Sequence, residues 1–375
     1  VQDIGPIEPP PVRVTSADGP GQPAPGAEVE ALYRSLEAEL LVPLWTEIGD
    51  LMPESPQPQT MPHVWRWRAL RHLAGRAGDL VPVGRGGERR AIALANPGLG
   101  GRPFATSTLW AAIQYLNPRE DAPVHRHTQH AFRFVVEGEG VWTVVDGDPV
   151  AMRRGDFLPQ AGWHWHGHHN VSDQPMAWID GLDIPFQHSV GATFFEPGPD
   201  EVDTCQAPAR SRSERLWAHP GLRPLTQIVP TTATPLLAYR WEHTDRALSE
   251  QLALEAEGVP ATLEPGHAAI RYTNLTTGRD ALPTVRTEFH RLAPGTETAI
   301  RRETGSSVFQ AFDGAGTVTV ADQIWAVEQG DLFVVPSWQP LQLATGPGLD
   351  LFRFSDAPIF ERLHLDRHHE DGATS

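Results

Sequence analysis

At 375 residues the chain is long enough for two or three hydrophobic cores, and its formal charge of −17 includes 30 basic residues that are all arginine, because no lysine occurs. The absence of lysine excludes P-loop phosphate binding and Schiff-base chemistry of the pyridoxal or aldolase kind, and the acidic balance argues against a nucleic-acid partner. The lone Cys205 excludes an intrachain disulfide or a multi-cysteine zinc site, and with no signal-like start and no run of about 18 apolar residues the expected compartment is the cytoplasm.

Residues 1–26 are rich in proline and glycine and read as a flexible arm. A helical segment is expected over 27–84. In it Leu32, Leu36, Leu40, Leu44 and Ile48 recur every four positions, the stripe of an amphipathic helix bent at Pro43, and a second helix is expected across Val64 to Leu73. From about residue 85 the texture changes to short apolar or alternating runs broken by Gly, Asp and Pro, which predicts strands through 195. Within that region Asp146-Gly147 has the composition of a tight hairpin turn. A linker over 196–284 carries one more helix from Thr244 to Gly258, and strand texture returns over 285–375.

An internal repeat sets the architecture. Val135-Val136-Glu137-Gly138-Glu139-Gly140 followed by Gly155-Asp156 recurs as Ala311-Phe312-Asp313-Gly314-Ala315-Gly316 followed by Gly330-Asp331. One unit of short strands used twice predicts a mainly β protein of two antiparallel barrels or jelly rolls.

Histidines mass at two points of the first copy, His125-Arg126-His127 and His164-Trp165-His166-Gly167-His168-His169. Residues two apart on a strand share a face, so His125 and His127 project together, and a residue on another strand completes a trio of neutral imidazoles suited to a divalent transition metal. Parity does not distinguish His164, His166 and His168; His169 is expected to face solvent, and His130 lies on the opposite face from the pair. Arg133 shares the parity of His125 and His127, so it should point inward, where it suits an anionic ligand.

These residues resemble the cupins, whose motifs are a His-x-His followed by Gly, and Gly-Asp followed by Pro, Gly, His and Asn. The match here is His125, His127, Gly138, then Gly155-Asp156, Pro159, Gly162, His166 and Asn170, and it selects His166 as the third ligand. The cupin glutamate ligand position falls at about Ala131, leaving a three-histidine site. In the second copy Arg301, Glu303 and Leu341 stand at the histidine positions, so a metal-free partner barrel is expected there.

More of the chain resembles the gentisate 1,2-dioxygenase family, which includes salicylate and 1-hydroxy-2-naphthoate dioxygenases. The resemblance runs through Arg90-Ala91 to Asn96-Pro97, Leu109-Trp110 to Leu116, His125 to Gln129, Ile179 to Pro185 and Phe352 to Pro358. It implies a bicupin, one Fe(II) per chain in the first barrel, a small aromatic hydroxy acid and O2 as substrates, no membrane partner and a homotetramer. It also implies a pocket of Arg133, His168, Gln114, Arg89, Trp110, Ala112, Ala91 and Asp180. His168 would lie near the substrate hydroxyl, and Asp180 would orient a neighbouring arginine or histidine. Trp110 and Ala91 resemble the salicylate-cleaving branch, whereas Ala112 is similar to gentisate enzymes. The expected reaction is cleavage of gentisate- or salicylate-type acids between the carboxyl- and hydroxyl-bearing carbons. The alternatives are 1-hydroxy-2-naphthoate as the main substrate, or a non-catalytic bicupin that binds a small molecule.

Overall fold

The computed structural model describes residues 26–81, 83, 90–198 and 207–370, in two units that meet between Gln57 and Pro58. All of the expected arm except Gly26, together with Arg89 and Cys205, lies outside the described residues.

In the first unit the predicted stripe becomes two helices, α1 (Ala27–Ala38) and α2 (Leu44–Leu51), with Pro43 as the N-cap of the second. Proline suits that boundary because its missing N–H is not needed there. The Trp45 indole donates to Tyr33 Oη at 3.1 Å and ties the two helices together.

The second unit begins with strand β1 (His63–Trp65) and α3 (Trp67–Leu80). The helix expected at Val64 therefore starts three residues later and runs further. Val64 is drawn into β1 by pairing with Phe333, far away in sequence, which local periodicity does not register.

The first barrel follows. One sheet, ordered β2-β3-β10-β5-β8, consists of β2 (Ala91–Ala93), β3 (Trp110–Leu116), β5 (Ala131–Glu137), β8 (Phe157–Gln160) and β10 (Met176–Leu182). The other, ordered β11-β4-β9-β6-β7, consists of β4 (Asp121–His127), β6 (Glu139–Val145), β7 (Asp148–Arg153), β9 (His166–Asn170) and β11 (Phe195–Pro197). The Asp146-Gly147 turn closes the β6–β7 hairpin with φ of 45° and 74°, the left-handed pair its composition predicts. Short helices α4 (Ile184–Ser189) and α5 (Arg212–Trp217) follow, then α6 (Trp241–Ala256).

The second barrel is built from β12 (His267–Arg271), β13 (Arg286–Leu292), β14 (Arg301–Glu303), β15 (Ser307–Val320), β16 (Gln323–Glu328), β17 (Leu332–Val335), β18 (Leu341–Ala344) and β19 (Leu349–Ser355), with α7 (Ala357–Arg362) and β20 (His368–Glu370) closing the chain's described part. The 14-residue β15 takes part in both halves, pairing β17 and β19 at one end and β16 and β18 at the other.

Strand alternation sorts each barrel's residues into two sets. From the β3-containing sheet, Phe132, Phe134 and Phe157 join Phe289, Phe312, Phe352 and Phe354 in one core shared by both barrels. There Phe134 stacks on Phe352 with centroids 3.9 Å apart.

Each Gly-Asp pair of the repeat is capped by a helix start from elsewhere in the chain. Asp156 takes the Trp241 backbone N–H at 3.0 Å and an Arg240 guanidinium N–H at 2.6 Å; Asp331 takes the Trp67 N–H at 2.9 Å and an Arg66 N–H at 2.6 Å. A Cβ at Gly155 would stand 2.7 Å from the Trp241 ring, and one at Gly330 2.2 Å from the Trp67 ring, which is why glycine precedes each aspartate. The start of the helix before each barrel thus docks on the other barrel, that of α3 on the second and that of α6 on the first, while the body of α3 packs on β2 and β3 and that of α6 on β12 and β13.

Candidate metal centre and pocket

His125 and His127 lie on β4 and His166 begins β9 beside them, with His125 in register with His166. From His166 to His168 is two residues on β9, but from His125 back to Ala122, the partner of His168, is three on β4. This bulge carries an extra residue and re-aims the histidine pair. The candidate ligand nitrogens of His125, His127 and His166 lie within 4.8 Å of one another, and all three side chains are buried.

Each ring is fixed by a carbonyl two residues away. The Nδ1–H of His125 donates to Pro123 O at 3.0 Å, that of His127 to Gln129 O at 3.1 Å, and that of His166 to His164 O at 3.0 Å. With Nδ1 engaged, the lone pair of each neutral imidazole sits on Nε2, the tautomer and orientation a metal ligand needs. Phe195 of β11 stacks on the His125 ring at 5.5 Å and limits its rotation. The donor set therefore fits a divalent transition metal with open positions.

The opposite sheet supplies the remaining wall through rows of registered residues. Ala91 pairs with Gln114 and Gln114 with Trp178; Ala112 pairs with Asp180 and Asp180 with Arg133; Trp110 pairs with Leu182 and Leu182 with Ala131. Paired residues share a face, so Ala91, Trp110, Ala112, Gln114, Arg133 and Asp180 stand on one face of this sheet.

Arg133 is fully buried. Its Nε–H donates to His168 Nε2 at 3.2 Å, its Nη1–H to Gln160 Oε1 at 2.7 Å, and Asp180 Oδ1 lies 3.8 Å from Nε. Burial lowers its pKa to about 10 while Asp180 pulls the other way, so the guanidinium stays charged at neutral pH. The donation from Arg133 assigns the His168 lone pair to Nε2. Asp180 also accepts from the Trp178 indole at 3.0 Å, which fixes its carboxylate. Gln114 Oε1 is buried with no hydrogen-bond partner among the described residues, an acceptor open to a ligand.

Sequence reasoning passed over Gln160. Its amide oxygen accepts from Arg133, and its amide nitrogen lies 2.6 Å from His166 Nδ1, a packing contact because that Nδ1–H is given to His164 O, so Gln160 stands between Arg133 and the triad. The position directly after the motif's Pro159 was the available signal. Two histidines also differ from expectation or gain a place. His169 is buried, with its ring 6.0 Å from Trp142 and Nδ1 2.9 Å from Asp121 Oδ1, because the sheet face opposite the triad is itself covered. His164 is half-exposed and bonded to Asp146, outside the triad. Arg90 is held by Glu120 and by the carbonyls of Val81 and Tyr115, so the ambiguity between it and Arg89 resolves to the extent that Arg90 is a structural ion pair.

In the second barrel Arg301 is in register with Leu341, as His125 is with His166, and Glu303 lies two residues on. Among the described residues the triad is the single group of three or more side chains placed to hold a metal.

Two β-barrels in tandem with a three-histidine centre in the first define a bicupin. Residues 112–184 match the cupin domain family model. A gentisate 1,2-dioxygenase from Streptomyces sp is 59% identical over 90% of this chain and 94% of that protein. A 5-aminosalicylate 1,2-dioxygenase from Comamonas sp is 31% identical over 91% of this chain and 90% of its own length. Salicylate 1,2-dioxygenase from Pseudoaminobacter salicylatoxidans, solved as an adduct with gentisate, is 61% identical with a TM-score of 0.92, covering 94% of this chain and 96% of that one. The chain belongs to the gentisate 1,2-dioxygenase family and is a ring-cleaving dioxygenase of the gentisate and salicylate type. No helix among its described residues is long and apolar enough to cross a membrane.

Proposed function

We propose that the protein is an Fe(II)-dependent dioxygenase that inserts both atoms of O2 into gentisate- or salicylate-type ortho-hydroxybenzoates, breaking the ring between the carboxyl- and hydroxyl-bearing carbons. The observation that carries this reading is the buried triad with every Nδ1 committed to a carbonyl, facing a buried, charged Arg133. Fe(II) bound by His125, His127 and His166 would supply the redox coupling between an electron-rich ring and dioxygen that side chains lack. Three neutral ligands leave a dication uncompensated, which favours a substrate bearing a carboxylate beside a phenol.

The chain's own residues then bind and orient. Arg133 pairs with the substrate carboxylate, with Arg89 as the second cation implied by the family resemblance. Asp180 and Gln160 hold Arg133 in place. His168 takes the phenolic proton at Nε2, the atom that otherwise accepts from Arg133. Gln114 Oε1 accepts from a ring substituent, and Trp110, Ala112 and Ala91 form the wall against the ring. Trp110 and the small Ala91 favour salicylates, and gentisate is the other expected substrate; two small alanines on this wall also leave room for the second ring of 1-hydroxy-2-naphthoate.

The test is oxygen uptake by protein reconstituted with Fe(II) under anaerobic conditions, across gentisate, salicylate and 1-hydroxy-2-naphthoate, with ring-opened product followed by absorbance. Uptake with one of these acids and one iron per chain is the expected result. Stoichiometric iron with no uptake on any of them would leave a binding bicupin as the better account.

A further inference from the structure

The second barrel has lost the triad but not its interior. A cavity of about 320 Å³ lies there, lined by Arg301, Glu303 and Leu341, the residues that stand where the first barrel has its histidines. Its size is at the lower end of the range for small-molecule pockets. One wall is apolar, with Leu263, Phe309 and Leu341, and the other carries charge.

The charges are not equivalent. Arg353 is held by Glu288 at 2.9 Å, Glu303 at 2.5 Å and Ser307 Oγ, with a side chain only 14% exposed. Arg301 is held by Glu264 at 2.8 Å and by Glu370 at 2.9 Å. Glu370 belongs to β20, a three-residue edge strand that among the described residues pairs only with β14, and its side chain is 43% exposed. Such a pair contributes little stability. Glu303 is similarly exposed, at 46%, but it lies on β14, which is paired with both β18 and β20, so the carboxylate on the edge strand β20 is the more easily displaced.

We propose that this cavity is a second ligand site, taking a small apolar or aromatic monocarboxylate whose carboxylate exchanges with that of Glu370 on Arg301 while its body lies against Phe309 and Leu341. Exchange of one carboxylate for another conserves the charge of the site. An anion added without exchange would meet four glutamates, Glu264, Glu288, Glu303 and Glu370, around two arginines. A cation would have to compete with Arg353 for Glu288 and Glu303. The planar fork of Arg301 suits a carboxylate geometrically as well as by charge.

The probe is 4-fluorobenzoate, its binding read from the 19F line of the full chain in an Arg133→Ala background, so that the first barrel's carboxylate partner is absent. Binding at millimolar probe is expected, weakened about tenfold or more by Arg301→Ala and tightened about threefold by Glu370→Gln, which removes the competing carboxylate. Leu341→Trp, which fills the cavity, should abolish it. An Arg301→Ala variant that misfolds leaves Glu370→Gln decisive, because a purely structural pair predicts no tightening. Absence of binding, no tightening by Glu370→Gln, or equal affinity for uncharged 4-fluorobenzamide would overturn the proposal.

Discussion

Each triad imidazole is tethered by its own backbone neighbour two residues away, so the three Nε2 atoms are aimed before any metal arrives. Such preorganisation concentrates the effect of substitution in a few residues. His166→Ala should drop bound iron well below one per chain, read by metal analysis after Fe(II) loading, and chelation of the wild type should remove activity that Fe(II) then restores. Arg133 is the other focus. Its replacement by alanine should cut kcat/KM by about 100-fold, because a misplaced carboxylate loses orientation, while Arg301→Ala in the second barrel should leave it within about twofold. Equal losses would contradict the assignment of roles by barrel. His125, His127, His166 and the inward Arg133 were legible in the sequence because strand parity and motif spacing are local. Gln160 was not, since its importance comes from two neighbours, Arg133 and His166, that only the closed barrel places on either side of it.

At the level of elements, the two Gly-Asp turns act as sockets for the helices of the opposite barrel. They differ in burial. The Asp156–Arg240 pair has side chains 3% and 14% exposed, and Arg240 is shared with Glu214, whereas Arg66, the partner of Asp331, is 48% exposed. Removing one member of a buried pair strands a charge, so Asp156→Ala should cost about 3–5 kcal/mol. Asp331→Ala should cost about 1–3 kcal/mol, mainly through the orphaned Trp67 N–H. Chemical denaturation of both variants checks the order, and a larger loss at Asp331 would mean the helix–barrel contacts are valued wrongly. The Arg66-Trp67 and Arg240-Trp241 dipeptides were a readable second copy of this device, overlooked because they lie before the strand-rich part of each repeat.

Over the whole molecule, the second barrel keeps a network of ion pairs where the first has its histidine triad. Burial by itself would raise the Glu288 pKa, but Arg353, with His290 and Arg286, brings it down to about 2. The folded state therefore binds fewer protons here than the unfolded chain. Its contribution, on the order of 3 kcal/mol, is complete above the ordinary glutamate pKa and is lost as pH falls through about 2. Glu288→Gln should lower stability at neutral pH and flatten the decline between about pH 4 and pH 2, measured by denaturation at several pH values; an unchanged acid limb would assign that decline to other groups. The homotetramer implied by the family resemblance predicts a sedimenting mass about four times the 41.2 kDa of the chain. A monomer in that measurement would overturn the expected tetramer.

By itself the sequence determined the β-rich repeat, the first-barrel histidines, the inward face of Arg133 and the replacement of the histidines by Arg301, Glu303 and Leu341 in the second copy, because all of these follow from two-residue alternation and from spacing along the chain. Only the tertiary structure decided that Val64 is strand and not helix, that His169 is buried, that the start of each helix docks on the other barrel's Gly-Asp turn, and that a charged cavity survives in the second. Those outcomes depend on which distant segments meet, such as Val64 with Phe333 or Arg240 with Asp156, and no local pattern encodes the pairing energy of residues more than eighty positions apart.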